Sequence, residues 1–164
     1  SYEYDPCDLL KAEELMASQH SQYLKQEGED IASIARGITN PKGRVHIGFG
    51  QQLDGDFADA EAVAADIDQQ IAEQYQLFPS NIQAFEQLQL LSEKFSNLQE
   101  ESVQRLSDWA NQTKSHWMAS DQAGFNKRST EFKERVARYP EKLRQLVLEM
   151  YANPLINQHR ELIE

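Results

Sequence analysis

The 164-residue chain carries 16 Lys and Arg against 27 Asp and Glu, a formal net charge of −11. Its mean hydropathy is −0.70, and no run approaches the ~18 consecutive apolar residues of a membrane-spanning helix. This excludes a transmembrane helix and also a generic nucleic-acid binder, which needs a basic face. A single cysteine, Cys7, leaves no internal disulfide and no cysteine-rich zinc site, while a hydrophobic content of 40% is too high for a disordered chain.

A first residue of Ser rather than Met points to a processed product or a piece of a longer protein. The charge is unevenly spread. Residues 1–56 hold five bases and ten acids, residues 57–100 one base and eight acids, and residues 101–164 ten bases and nine acids. An acidic middle and a nearly neutral, base-rich tail suggest two structural regions. Within the tail, Lys127, Arg128, Lys133, Arg135, Arg138, Lys142 and Arg144 offer a surface for anionic headgroups or substrates. Glu131, Glu134 and Glu141 alternate with them, which favours ordinary solvated helix faces.

In chain order, Tyr2 and Tyr4 alternate with Glu3, so residues 1–5 read as the end of a strand. Asp5-Pro6-Cys7-Asp8 reads as a helix start, with Asp5 as the cap, Pro6 in the first turn and Asp8 completing a box-like cap. Leu9, Ala12, Met16 and Tyr23 recur at helical spacing and carry that helix to about residue 26. A shorter helix over residues 29–36 follows Gly28, with Ile31, Ile34 and Ala35 on one side and Gly37 as its C-terminal cap. After the turn Asn40-Pro41-Lys42-Gly43, residues 44–49 form the best strand: Val45, Ile47 and Phe49 alternate with Arg44, His46 and Gly48.

Asp59 caps a helix to about residue 75 with a narrow stripe of Val63, Ile67 and Ile71. Phe78-Pro79-Ser80-Asn81 stops it, and Ser80 or Asn81 caps the next helix, whose buried face is Phe85, Leu88, Leu91 and Phe95. Three or four further helices carry Val103, Leu106 and Trp109, then Phe125, Phe132 and Val136, then Leu143, Leu146, Val147 and Met150. Asn153-Pro154 breaks the third of these before a short terminal helix. The fold class is therefore mostly α with a minor β component. Two strands do not make a stable sheet alone, so either a helical bundle carries the fold or further strands lie upstream.

Tests for chemistry leave little. His20, His46, His116 and His159 have no metal-ligand spacing, and Asp54/Asp56 and Asp66/Asp68 lack the glycine and closing glutamate of a calcium loop. Gly48-Phe49-Gly50 has neither a P-loop lysine nor a third glycine. Cys7, flanked by Asp5 and Asp8, reads as a half-buried structural thiol, because those carboxylates oppose the helix dipole that would activate it. His116 and Asp121 match the spacing His-x-x-x-x-Asp, in which a carboxylate orients an imidazole general base, but such a match is common by chance at this composition.

Four stretches resemble, in order, bacterial glycerol/phospholipid acyltransferases of the 1-acyl-glycerol-3-phosphate acyltransferase type. They are Ser1-Tyr2-Glu3-Tyr4-Asp5-Pro6-Cys7-Asp8 with Lys11-Ala12-Glu13-Glu14-Leu15, then Lys42-Gly43-Arg44-Val45-His46-Ile47-Gly48-Phe49-Gly50, then Tyr75-Gln76-Leu77-Phe78-Pro79-Ser80-Asn81, and finally Glu149-Met150-Tyr151-Ala152-Asn153-Pro154-Leu155. The resemblance implies that residues 1–95 are the C-terminal edge of an α/β acyltransferase domain and 96–164 a helical extension. It implies that the family's catalytic His and Asp, its phosphate-binding Arg block and its Glu-Gly-Thr block lie upstream. His116 and Asp121 do not take that catalytic role, and this chain alone is expected to be inactive. Residues 44–49 become the strand that pairs after a right-handed crossover through the first two helices. Arg44 and His46, opposite Val45, Ile47 and Phe49, are the only residues nominated as substrate neighbours, although a polar strand face needs no ligand to explain it.

The resemblance further implies acyl-CoA or acyl-carrier protein as acyl donor, no cofactor or metal within this chain, and the upstream catalytic half and a membrane surface as partners. It also implies a cytoplasmic place, peripheral to the inner face of the membrane. The rival reading is an independent helical interaction module that docks through Trp109, Trp117, Met118 and Phe125. Burial of those four in a helical core would remove its anchors.

Overall fold

The computed structural model describes residues 1–19, 23–24, 27–91 and 100–159. Among them are six helices: α1 (Asp8–Ser18), α2 (Glu29–Thr39), α3 (Ala60–Gln74), α4 (Pro79–Leu91), α5 (Glu100–Ala137) and α6 (Glu141–Asn157). None is long and apolar enough to cross a membrane.

Helix α4 is the centre. Its Ile82, Ala84, Phe85 and Leu88 are buried, and Ser80, Asn81 and Gln83 are buried with them. A helix covered on several faces must be apolar around most of its circumference, and α4 meets that demand by packing against both α5 and α6. Leu106, Phe125, Phe132 and Val136 of α5, Leu143, Val147, Leu148, Ala152 and Leu155 of α6, and Ala12 of α1 complete one core. Residues from both sides of position 95 share it. Leu91 belongs to α4, whereas Phe95 lies outside the described residues.

The caps explain the boundaries. Asp59 accepts from the Ala62 N–H at 2.8 Å and starts α3 as expected. At α4, Asn81 reaches back to the Phe78 N–H at 2.7 Å, so it acts from the third helical position rather than as the cap itself. Asp5 accepts from the Cys7 N–H at 2.8 Å, and the helix begins at Asp8. Helix α2 runs through Gly37 to Thr39, and Gly37 is therefore no cap. Asp121 has φ −157° and ψ 76°, and its carboxylate accepts from the Gly124 N–H at 2.8 Å. This caps a second helical segment and kinks α5, placing Val103, Leu106 and Trp109 before the bend and Phe125, Phe132 and Val136 after it. Pro154 does not end α6. The helix runs on to Asn157, because buried Leu155 and Ile156 hold the last turn in the core and packing overrides the proline's local cost.

The helical part of the expected fold class stands, but the strands are reduced. Among the described residues, the two extended segments meet in one isolated antiparallel bridge, Tyr2 to Val45. Ser1 and His46 exchange backbone hydrogen bonds at 2.9 and 2.8 Å, and the Glu3 N–H donates to the Arg44 carbonyl at 2.9 Å. This corrects the expected full strand over residues 44–49. The alternation is present, but among the described residues no strand partner continues the ladder beyond His46, and the antiparallel pairing is not that of a crossover. Gly43 turns the chain into this ribbon at φ +65°, where a Cβ would lie 2.9 Å from that of Glu3.

Candidate functional site

The most organised polar cluster lies where the N-terminal ribbon and α1 meet α5 and α6. Glu3 and Asp8 are each only 2% exposed. A buried carboxylate is tolerated when its lone pairs are filled by donors, and Asp8 meets four. One oxygen accepts from the Leu9 N–H at 2.7 Å and the Tyr139 hydroxyl at 2.9 Å. The other accepts from Arg135 Nε and the Tyr151 hydroxyl, both at 2.9 Å. Arg135 also donates to the Asp5 carbonyl at 3.0 Å, and the Tyr151 hydroxyl accepts from the Asp5 N–H at 2.7 Å. The loop before α1 is thus tied to both late helices.

Glu3 has a parallel role. Arg44 grips it with Nε and a terminal nitrogen, each at 3.1 Å, a fork-to-fork geometry available to arginine and not to lysine. The guanidinium lies over the Trp117 ring, 4.1 Å from its centroid, and 5.4 Å from that of Phe78, a cation–π arrangement. The Glu3 carbonyl accepts from the Ser80 hydroxyl at 2.7 Å, and Asn81 donates to the Tyr151 carbonyl at 2.8 Å.

Ionisation follows from this enclosure. Burial first, and then the neighbouring negative charge of Asp8, push Tyr139 and Tyr151 well above the ordinary tyrosine value. Burial and the Glu3 charge push Tyr4 up to about 12. Burial opposes the charge on Arg135, but its hydrogen bond to Asp8 outweighs that and raises its affinity for the proton. Protonated phenols and a permanently charged guanidinium around a fully occupied carboxylate offer no nucleophile or general base near neutral pH. The cluster holds elements together.

The nominated residues separate. Arg44 is engaged by Glu3. His46, by contrast, lines a cavity of about 390 Å³ between the ribbon and α3, together with Ser1, Leu53, Ile67, Gln70 and Tyr75. Gly48 and Gly50 let Gln74 and Gln70 approach that wall, and the Gln51 N–H donates to Gln70 Oε1 at 2.6 Å. Asp121 accepts from Gly124 and, at 2.7 Å, from Arg128, so it serves the kink, while His116 stands exposed beside a different cavity. The half-buried Cys7 thiol donates to the Ser33 carbonyl at 3.5 Å, in keeping with a structural thiol. Among the described residues, no group of three or more His, Cys, Asp or Glu is arranged to hold a metal ion.

Two surface readings change. Arg128, Arg135 and Arg144 do not form a basic face. Arg135 holds Asp8, Arg128 pairs with Asp121, and Arg144 donates to the carbonyls of Ala137 and Tyr139 at the end of α5. Phe125 is buried, and Trp109, Trp117 and Met118 pack against the core, which removes them as exposed docking anchors. Sequence reasoning missed Arg135, Tyr139 and Tyr151 as partners of Asp8, since they lie 127 to 143 residues away. The available signal was Tyr151 itself, inside one of the four family-like stretches. Comparison of the chain with protein-family profiles, with curated proteins and with solved structures gives no match.

Proposed function

We propose that this chain is the C-terminal region of an O-acyltransferase. The enzyme would move a fatty acyl group from acyl-CoA or acyl-carrier protein to a hydroxyl of a glycerol-phosphate-type acceptor at the inner face of the membrane. Its His-x-x-x-x-Asp half lies upstream and forms the α/β domain whose edge is residues 1–95. One observation carries the reading. The four stretches that suggested the family are far apart in sequence, yet each contributes to one polar cluster: Glu3 and Asp8 from the first, Arg44 from the second, Ser80 and Asn81 from the third, and Tyr151 from the fourth.

The uncovered side agrees. Val45, Ile47 and Phe49 on the ribbon and Ile31, Ile34 and Ile38 on α2 are exposed, Phe49 by 86%. Exposed apolar side chains on these two elements suit a covering partner, and the ribbon's edge suits a further strand. In this reading the upstream sheet covers both, His46 faces the substrate side through its cavity, and Arg44 positions the ribbon from within its pair with Glu3. The test is to read the frame upstream of Ser1 and assay both forms. A whole polypeptide with His-x-x-x-x-Asp and Glu-Gly-Thr blocks acylates lysophosphatidic acid from acyl-CoA, and this chain alone does not. Transfer by this chain alone that depends on His116 would overturn the proposal, and an upstream frame lacking both blocks would favour an independent interaction module.

A further inference from the structure

The loop that joins the ribbon to α3 carries a reactive pair of residues that neither the polar cluster nor the proposed acyl transfer uses. Residues 51–56 are exposed throughout and belong to neither helix nor strand. Within them Asp54 is followed by Gly55, the one Asp–Gly step in a chain that has no Asn–Gly step. Among the described residues, no hydrogen bond or ion pair engages the Asp54 carboxylate or the Gly55 N–H.

The carboxyl carbon of an aspartate can be attacked by the backbone nitrogen of the next residue. That nitrogen must be free of secondary-structure hydrogen bonds, and the backbone must be able to turn toward the side chain. A following Gly removes the Cβ that hinders the approach and widens the accessible range of φ and ψ. A Cβ placed on Gly55 would have ring atoms of Phe57 as its nearest neighbours, at 3.5 Å, so nothing packs tightly on the step. These conditions fail elsewhere. Asp5 precedes Pro6, which has no N–H, and Asp8 is buried with both oxygens occupied. Asp56 precedes Phe57, whose N–H donates to the Gly55 carbonyl at 3.1 Å. Asp59 is held as the cap of α3, and Asp66, Asp68 and Asp108 lie inside helices, where the following N–H belongs to the helical ladder.

We propose that Asp54–Gly55 is a site of spontaneous isoaspartate formation in the folded protein. The Gly55 nitrogen bonds to the side-chain carboxyl carbon of Asp54. The hydroxyl of the protonated carboxyl leaves with the proton of the nitrogen as water, and a succinimide ring closes. Water then adds to one of the two ring carbonyls and the bond from that carbon to nitrogen breaks. Opening at the side-chain carbonyl restores Asp, whereas opening at the main-chain carbonyl leaves the chain running through the β-carboxyl as isoaspartate. The product has the mass and charge of the starting chain. Its backbone gains one carbon between Leu53, on the wall of the His46 cavity, and Asp59 at the start of α3. Neither residue belongs to the helical core, and an exposed loop absorbs such an insertion. The inference is independent of the acyltransferase reading.

The test is to age the folded chain at neutral pH, digest samples at intervals and fragment the peptides by electron transfer, which distinguishes the two linkages. Isoaspartate should build up at position 54 ahead of every other aspartate, with the intact mass and the helical circular-dichroism signal unchanged. Gly55 has no positive φ, so Gly55→Ala is compatible with the loop and should slow the reaction several-fold. Asp54→Glu keeps the charge but would have to close a larger, less favourable ring, and should abolish the product. The free peptide of residues 51–57 is the positive control. An aged chain unchanged at Asp54 while that peptide converts, faster isomerisation at another aspartate, loss of the helical signal as the product accumulates, or an equal rate in Gly55→Ala would each overturn the proposal.

Discussion

Asp8 is where a short local pattern acquires a long-range role. Its position after Pro6 suits a helix start, yet its oxygens are taken by Arg135, Tyr139 and Tyr151 as well as by the Leu9 N–H. Removing one partner of a buried ion pair leaves the other charge uncompensated. Asp8→Asn should therefore cost about 3 kcal/mol in urea unfolding, while adding Arg135→Met to it should cost less than the sum of the two single changes. The phenols make a second prediction. In the unfolded chain tyrosine ionises near its ordinary 10.0, whereas the folded state holds Tyr4 to about 12 and Tyr139 and Tyr151 higher still. Their contribution is fully present below pH 10; that of Tyr4 is lost as pH rises through about 12, and those of Tyr139 and Tyr151 go on falling above it. The unfolding midpoint should fall steeply above pH 10, and Tyr151→Phe should flatten that fall.

At the scale of elements, α5 is two helical segments hinged at Asp121. The Gly124 N–H, and after it Arg128, hold the Asp121 carboxyl below its ordinary value of 3.8. Because that value is depressed in the fold, the contribution of the cap is present above pH 3.8 and is lost as pH falls below it. Amide exchange at Gly124 should thus accelerate in acid, after correction for intrinsic rates, and Asp121→Ala should show the faster exchange already at neutral pH. Pro154 shows the opposite balance, a local breaker overruled by the burial of Leu155 and Ile156.

Across the whole molecule, a well-covered helical core contrasts with the exposed apolar side chains of α2 and the ribbon. Ile31 and Ile38 on α2 are 74% and 73% exposed, although the helix has the one-sided pattern of a packed element. Exchanging Ile31, Ile34 and Ile38 together for Ser should reduce binding of an apolar-surface dye while leaving the unfolding midpoint nearly unchanged, since exposed substitutions usually stay within about 0.5 kcal/mol each. A large loss of stability would mean that this face is already packed.

Helix periodicity, and with it most of the core, was legible in the sequence. Phe85 and Leu88 were expected to be buried and are, and Leu106, Phe132, Leu143 and Val147, which the periodicity placed on helices, are buried too, because a 3.6-residue repeat is a local property that records which face meets apolar neighbours. Asp59 was legible as a cap for the same reason. The strand pattern at Val45, Ile47 and Phe49 was equally clear, but alternation specifies only what a strand would bury, and these side chains remain open without a sheet to cover them. The polar cluster was beyond local reading. Whether Arg135 faces solvent or Asp8 depends on how α1, α5 and α6 pack, and a charged residue has the same local pattern in either place. Periodicity determined the helices of this protein, and only tertiary packing decided which charges became its internal ties, because desolvation and pairing arise between elements rather than within them.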